Sequence, residues 1–213
     1  MSEVLVIDRD RPDDLSLARA AEVVRSGGLI VYPTETLYGI GADATNPRAV
    51  RKVFASKGRS EGKPIPVLVD SERMLLDYVR EVPPAASLLI RSFWPGPLTI
   101  IFHAGDRVPD GLSPGSRTIG VRIPSSPLCV RLVGLVGTPL TSTSANPSGA
   151  DPSRTIAGMQ SGLRGIDVFL DGGELPESLP STIVDVTRSR PRIIRAGATP
   201  VGRVRALIPE IDG

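Results

Sequence analysis

Six short polar side chains, Thr141, Ser142, Thr143, Ser144, Asn146 and Ser148, crowd into the stretch LTSTSANPSGADPSRT at 140–155, directly after an apolar run. Hydroxyls and an amide at that density can donate to phosphate or carboxylate oxygens while leaving room for a ligand. A solvated loop is the alternative. In YPTETLYGIGADA at 32–44, Thr34, Glu35 and Thr36 stand at the mouth of an apolar run closed by Pro33. Gly39 and Gly41 there allow close approach of a ligand or of another strand. The dinucleotide-binding spacing G-x-G-x-x-G is absent, so a capped turn is an equal reading. SKGRSEGKP at 56–64 gathers Lys57, Arg59 and Lys63 with two glycines. It lacks the residue order of a P-loop. It reads either as a cradle for a triphosphate, offsetting charge on a leaving pyrophosphate, or as a solvated helix C-terminus, where cations are favoured. SRTIGVRIP at 116–124 carries Arg117 and Arg122 among small and apolar residues. Arg122 alternates with Val121 and Ile123 and so projects to the face opposite theirs. A buried guanidinium needs a carboxylate, from the protein or from a ligand. A counterpart cluster, PSTIVDVTRSRPRIIRAG at 180–197, sets Ser181 and Arg195 at strand ends.

The elements that must hold these clusters are short. Strands are expected at 4–7, 29–33, 65–70, 98–103, 118–124, near 138–142, and at 167–173, 181–186 and 191–197. DDLSLARAAEVVRSGG predicts a helix with Asp13 or Asp14 as N-cap and Gly27–Gly28 as its stop. NPRAVRKVFASKG predicts another, with Asn46 as cap, Pro47 in the first turn, and Ala49, Val50, Val53 and Phe54 on one face. Two helices fall in 71–92, and TPVGRVRALIPE closes the chain with Thr199 as cap. Strands and helices alternate early, and strands cluster late. That pattern argues for one α/β domain with a mixed sheet, its polar clusters at strand ends where open α/β sheets bind ligands.

Bulk composition narrows the chemistry. The 213 residues are 40% hydrophobic and 23% charged, ordinary for a globular protein. One cysteine, Cys129, excludes an internal disulfide and fits a reducing compartment. With a single histidine, His103, a cysteine- or histidine-rich zinc site is excluded, and a Ser-His-Asp triad would have to use that residue. Both residues read as structural. No apolar run is long enough to cross a membrane, and the N-terminus has no secretory pattern. Only three of the 25 basic residues are lysines. The arginine bias reads as a GC-rich genome or as phosphate recognition.

Taken together, GGLIVYPTETLYGIGADA, AVRKVFASKGRSEGKPIPVLV, WPGPLTIIF, TIGVRIP, SANPSG and STIVDV…IIRAG resemble, in order, the YrdC/Sua5 family of L-threonylcarbamoyladenylate synthases. The resemblance runs from about residue 27 to 197 and implies one YrdC-like domain over 1–213. Its fold would be a twisted mixed parallel and antiparallel sheet with flanking helices and a ligand cleft on the concave face. The implied reaction joins L-threonine, bicarbonate and ATP into threonylcarbamoyl-AMP and pyrophosphate, a nucleotidyl transfer. It is the first step of N6-threonylcarbamoyladenosine formation at position 37 of tRNA. The implied threonine contacts are Thr34, Arg122, Ser142 and Ser181. The implied nucleotide contacts are a polar tetrad of Lys57, Arg59, Ser144 and Asn146, together with Thr118, Ser153 and Arg195.

Mg²⁺ is expected to arrive on the ATP phosphates rather than in a protein cage. The implied setting is cytoplasmic and away from membranes, with hand-over of the labile product to a threonylcarbamoyl-transferase complex and contact with tRNA or double-stranded RNA. A lid is expected from SEGKP or from 174–180. Three departures from the family pattern are Pro180 before STIVD, Ser60 after KGR, and PIPVLV in the following strand. Two rival readings remain: a carbamoyl-adenylate-forming relative, and a non-catalytic double-stranded-RNA-binding or ribosome-assembly protein on the same fold.

Overall fold

The computed structural model describes residues 2–58, 64–113 and 115–213. An exposed strand, β1 (Glu3–Val6), leads into α1 (Asp14–Arg25). The Asp13 carboxylate caps α1 by accepting from the Ser16 N–H at 2.8 Å. Leu17, Ala20, Ala21 and Val24 recur at helical spacing and are buried. Gly27, at φ +78°, turns the chain out of the helix.

β2 (Ile30–Pro33) then folds straight back as β3 (Tyr38–Gly41), antiparallel to it. From sequence alone this second arm reads equally as a segment approached closely by a ligand or another strand and as a capped turn. Its two glycines lower strand propensity, yet packing requires one of them, Gly41. A Cβ on Gly41 would lie 2.8 Å from Ile30 Cγ1 and 2.9 Å from Tyr32 Cε1. Gly41 thus admits a neighbouring strand and the Tyr32 ring.

α2 (Pro47–Lys57) starts as expected: Asn46 Oδ1 accepts from the N–H groups of Arg48 (3.0 Å) and Ala49 (3.3 Å), and Ala49, Val50, Val53 and Phe54 are buried. β4 (Val67–Leu68) is much shorter than the expected 65–70. Pro64 and Pro66 have no N–H to give a ladder, which trims the strand from its start. There follow α3 (Glu72–Tyr78), α4 (Pro84–Phe93), β5 (Leu98–His103) and β6 (Thr118–Arg122). α5 (Pro127–Val136), β7 (Leu140–Thr141), β8 (Thr143–Ser144) and α6 (Ala157–Gln160) come next. β9 (Val168–Asp171), β10 (Thr182–Asp185), β11 (Arg192–Arg195) and α7 (Val201–Leu207) complete the chain. Thr199 does not cap α7, which begins after Pro200 without a side-chain cap. Thr199 is buried instead, and its carbonyl accepts from Thr182 Oγ1 at 2.6 Å.

The expected mixed α/β fold is present, with its strands divided between two sheets. One runs β1-β9-β2-β3-β8 and the other β11-β10-β5-β6-β4-β7, each with parallel and antiparallel pairs. β7 and β8 are separated by Ser142 alone, yet they belong to different sheets. The polar stretch at 140–148 is therefore the seam between the sheets.

Alternation along the strands separates core from site. In β5, Leu98, Ile100 and Phe102 enter the main core with Ile119 and Val121 of β6 and Val184 of β10. A second cluster packs α1 and α5 against Ile30, Tyr32, Leu68, Leu140, Val168 and Leu170.

Candidate active site

The opposite face of β5, β6 and β10 builds the site. Register places Ile183 beside both Thr99 and Arg195, and Leu68 beside Arg122. Ile100 pairs with Val121, so one step further along the antiparallel ladder Thr99 lies opposite Arg122. One transverse row, Arg195–Ile183–Thr99–Arg122–Leu68, thus crosses five strands, and all five residues line a cavity of about 470 Å³. Adjacent strands lie about 4.8 Å apart, so the two arginines stand three strand spacings, roughly 14 Å, from each other at the backbone. The facing wall comes from the β2–β3 hairpin (Thr34, Thr36, Gly39) and from the seam (Ser142, Ser144, Asn146). Pro152, Ser178 and Pro180 add to the lining.

Arg122 is 4% exposed and forms an ion pair with Glu35 through Nη1 and Oε1. The sequence reading left open whether a protein or a ligand carboxylate meets it. The structure supplies Glu35 on one side while the cavity bathes the other. Arg195 donates from Nε (3.1 Å) and Nη2 (2.7 Å) to the Ser181 carbonyl, and from Nη2 to Ser181 Oγ at 3.2 Å. Burial, and then the like charge of Arg122, lower the Arg195 pKa from its ordinary value. A site with two guanidinium groups that repel each other favours an anion between them.

Several of the expected residues instead hold the walls in place. Thr34 Oγ1 donates to the Leu37 carbonyl at 2.7 Å and accepts from the N–H groups of Thr36 (3.1 Å) and Leu37 (3.2 Å), closing the hairpin turn. Lys57, 4% exposed, donates from Nζ to the carbonyls of Ser144 and, at 2.7 Å, Asn146. It braces the seam from behind and is not among the cavity-lining residues. Asn146 donates from Nδ2 to the Pro147 carbonyl at 2.9 Å and also to Ala150 O. Its Oδ1 is buried in the wall without a partner among the described residues. Ser142 and Ser144 line the cavity, and so do Ser181 and Arg195.

Two expected contacts lie elsewhere. Thr118 borders a smaller cavity of about 250 Å³ together with Asp110 and Arg117. It stands four residues, roughly 13 Å, along β6 from Arg122. Ser153 is turned into its own loop, donating to the Thr155 carbonyl at 3.0 Å. Arg59 and Lys63 lie outside the described residues, as does most of the SEGKP stretch. Cys129 and His103 line neither cavity. Cys129 Sγ contacts the Pro33 carbonyl at 3.3 Å, and burial pushes its thiol up to about 12. His103 Nε2 lies 3.1 Å from the Thr187 carbonyl.

Sequence reasoning missed Thr99 and Ile183, and it missed that Glu35 pairs with Arg122. Thr99 carried a signal: it is the one hydroxyl in LTIIFH, out of phase with Leu98, Ile100 and Phe102. Ile183 carried none, because an apolar cavity wall and an apolar core look alike in a strand. Among the described residues, no group of three or more His, Cys, Asp or Glu side chains could hold a metal ion. No described helix is long and apolar enough to cross a membrane.

The comparisons agree with this geometry. A family model named Sua5/YciO/YrdC and described as "Telomere recombination" matches residues 22–197. The threonylcarbamoyl-AMP synthase of Pyrococcus abyssi is 32% identical over 209 residues, covering 98% of this chain and 62% of that protein. A putative threonylcarbamoyl-AMP synthase of Mycobacterium leprae is 35% identical over 206 residues, covering 95% of this chain and 93% of the relative. The crystal structure of P. abyssi Sua5 complexed with L-threonine superimposes with a TM-score of 0.94 at 32% identity, over 99% of this chain and 62% of that one. The chain therefore spans somewhat less than two thirds of the archaeal relative. From its seam, its cavity and its match across most of its length, this chain belongs to the Sua5/YciO/YrdC family.

Proposed function

We propose that this chain joins L-threonine, bicarbonate and ATP into L-threonylcarbamoyl-AMP and pyrophosphate, a nucleotidyl transfer that opens N6-threonylcarbamoyladenosine formation on tRNA. The observation that carries the reading is the row in which Arg122 and Arg195 flank small polar and apolar side chains in one cavity. That arrangement suits a zwitterion with a carboxylate at one end and a phosphate-bearing partner at the other. The names of the relatives, and the threonine complex of one of them, point the same way.

In this reading Arg122 takes the threonine carboxylate, with Ser142, Ser181 and the Thr34 turn shaping the pocket. Bicarbonate takes up a proton and loses water to give CO₂; the amine then forms an N–C bond to that CO₂ and loses a proton, giving a carbamate. A carbamate oxygen bonds to the α-phosphorus as the bond to the β-phosphate oxygen breaks and pyrophosphate leaves. The protein's part is to orient the reactants, which is worth roughly 7–11 kcal/mol, and to neutralise charge. Ser144, Asn146, Arg195, Lys57 and Arg59 would serve the phosphates. Lys57 Nζ and Asn146 Nδ2 also keep the seam in shape. Thr118 and Ser153 contribute only if the nucleotide reaches the smaller cavity and the Ser153 loop turns. Mg²⁺ would ride on the ATP phosphates, where it supplies charge neutralisation. We read residues 1–213 as one catalytic domain acting in the cytoplasm, its labile product passed to a threonylcarbamoyl transferase.

The test is pyrophosphate release from ATP with Mg²⁺, comparing wild type with Lys57→Ala. Release that requires both threonine and bicarbonate, and is lost in the variant, is the expected result. Release with bicarbonate alone would point to carbamoyl-adenylate formation. No release, with tight and salt-sensitive binding of double-stranded RNA, would make the chain a binding protein.

A further inference from the structure

Asn146 lines the main cavity and is 8% exposed. Its surroundings fix which end of the amide is nitrogen. Nδ2 donates to the Pro147 carbonyl at 2.9 Å and to Ala150 O, which uses both amide protons. Turning the amide over would set its oxygen against those two carbonyl oxygens. Oδ1 is left buried with no partner among the described residues. A buried acceptor without a donor costs about 1–3 kcal/mol. Such an atom in a cavity wall marks the place of a ligand group.

The chemistry of the atom narrows the group. An amide oxygen accepts and does not donate. Ionised phosphate oxygens accept as well. Asn146 is therefore unable to hold a phosphate directly, because its donors are spent on the seam and its free atom repels. Mg²⁺ accompanies the phosphates of a nucleotide and does meet an oxygen acceptor. It is a hard cation that keeps several waters and binds through few protein oxygens together with substrate phosphates. The Lys57 ammonium lies 2.7 Å from the backbone carbonyl of the same asparagine. It repels a bare metal ion, but not one already neutralised by a triphosphate. Among the described residues no acidic, histidine or cysteine cluster would hold the ion by itself. We propose that Asn146 Oδ1 bonds the Mg²⁺ carried by ATP, or one of its waters, and so serves the phosphates through their metal rather than by donating to them. The inference rests on the function proposed above.

The composition of the chain makes the test specific. Asn46 and Asn146 are its only asparagines and Gln160 its only glutamine, so three side chains give all the side-chain amide signals of an NMR spectrum. Asn46 is the control: its Oδ1 is taken by the Arg48 and Ala49 N–H groups, at the opposite end of α2 from Lys57. The probe is α,β-methylene-ATP, which does not release pyrophosphate, added to ¹⁵N-labelled wild type with Mg²⁺ or with EDTA. The Asn146 side-chain signals should move with Mg²⁺ and stay nearly still with EDTA, while those of Asn46 hold in both. By calorimetry wild type should bind the probe at least about tenfold tighter with Mg²⁺ than with EDTA, since loss of a supporting metal contact costs about 10–100-fold. Asn146→Ala, shown folded by its thermal transition, should bring that ratio close to one. The ratio is the readout because loss of the Nδ2 bonds alone would weaken both affinities alike. An unchanged ratio in the variant, a wild-type ratio near one, or an equal Asn146 shift in EDTA would overturn the metal contact alone. The last of these would make a ribose hydroxyl or the base amine the partner. Absence of binding by wild type in both conditions would overturn the proposed function and the metal contact with it.

Discussion

Glu35 and Arg122 face each other across the junction of the β2–β3 hairpin and the second sheet. One carboxylate oxygen, Oε1, takes both the guanidinium and the Ser125 N–H at 3.3 Å. The other, Oε2, is buried without a partner among the described residues. The carboxylate thus orients the guanidinium from behind, leaving its remaining N–H groups for the cavity. Removing one member of a buried pair strands the other charge and costs about 3–5 kcal/mol. Glu35→Ala is expected to lower unfolding stability by about 3 kcal/mol and to weaken threonine binding. Glu35→Ala combined with Arg122→Ala should cost less than the two single changes added together. Urea titration of the double-mutant cycle checks this, and strictly additive losses would show that the pair is not coupled.

Lys57 ties together two carbonyls of the seam, Ser144 and Asn146, and its own carbonyl accepts from the Ser148 N–H at 2.9 Å. A hydrogen bond to a charged group contributes about 1.5–3 kcal/mol. Lys57→Met keeps the length and removes the donors. It should destabilise the fold by about 2 kcal/mol or more as well as abolish pyrophosphate release. A variant with wild-type stability but no activity would mean that the brace is dispensable and only chemistry at the phosphates was lost.

The hairpin makes a paired prediction. Gly41→Ala drives a Cβ to 2.8 Å from Ile30 Cγ1 and 2.9 Å from Tyr32 Cε1, whereas Gly39→Ala meets Tyr32 Cζ at 3.4 Å. Overpacking of a core costs about 1–3 kcal/mol. Gly41→Ala should therefore melt several degrees below wild type and Gly39→Ala close to it. Equal melting temperatures would mean that the Tyr32 ring yields freely.

Alkaline pH should weaken the fold in a definite window. Burial raises the thiol of Cys129 from 9.0 and the phenol of Tyr38 from 10.0, each to about 12. Burial raises Tyr32 as well. The native state keeps these protons after the unfolded chain has lost them, so stability falls as pH rises. The decline should begin near pH 9, where Cys129 of the unfolded chain ionises, and steepen above pH 10 as Tyr38 joins it. Each group contributes up to ~1.4 kcal/mol per pH unit. Denaturant midpoints measured from pH 8 to 11 check it, and a flat profile would exclude the burial of these groups. The same burial predicts that Cys129 resists alkylation at pH 8 until the protein is unfolded.

Much of the site was legible residue by residue. Helix caps, apolar periodicity and punctuation by proline depend on near neighbours in the chain, so Asp13, Asn46 and the strands around Thr99 and Val121 could be read directly. So could Arg122's opposition to Val121, since a period of two is a property of any extended chain. The density of short hydroxyls at 141–148 marked the seam as polar.

Tertiary structure decided what those residues face. That Ser142 lies where the chain passes from one sheet to the other follows from pairings with β3 and β4, residues far away in the chain. That Tyr38–Gly41 is a strand follows from its pairing with β2 on one side and with β8, about a hundred residues on, on the other. Arg122 meets Glu35 across 87 positions of sequence, and Lys57 reaches the Ser144 carbonyl across the same separation. The row from Arg195 to Leu68 draws one residue from each of five strands, set by ladder register that the separate strands do not encode. Local propensity makes each strand, but register and sheet order arise only when non-local backbone hydrogen bonds and core burial act together. Those are the terms that place Thr99 and Ile183 between two arginines.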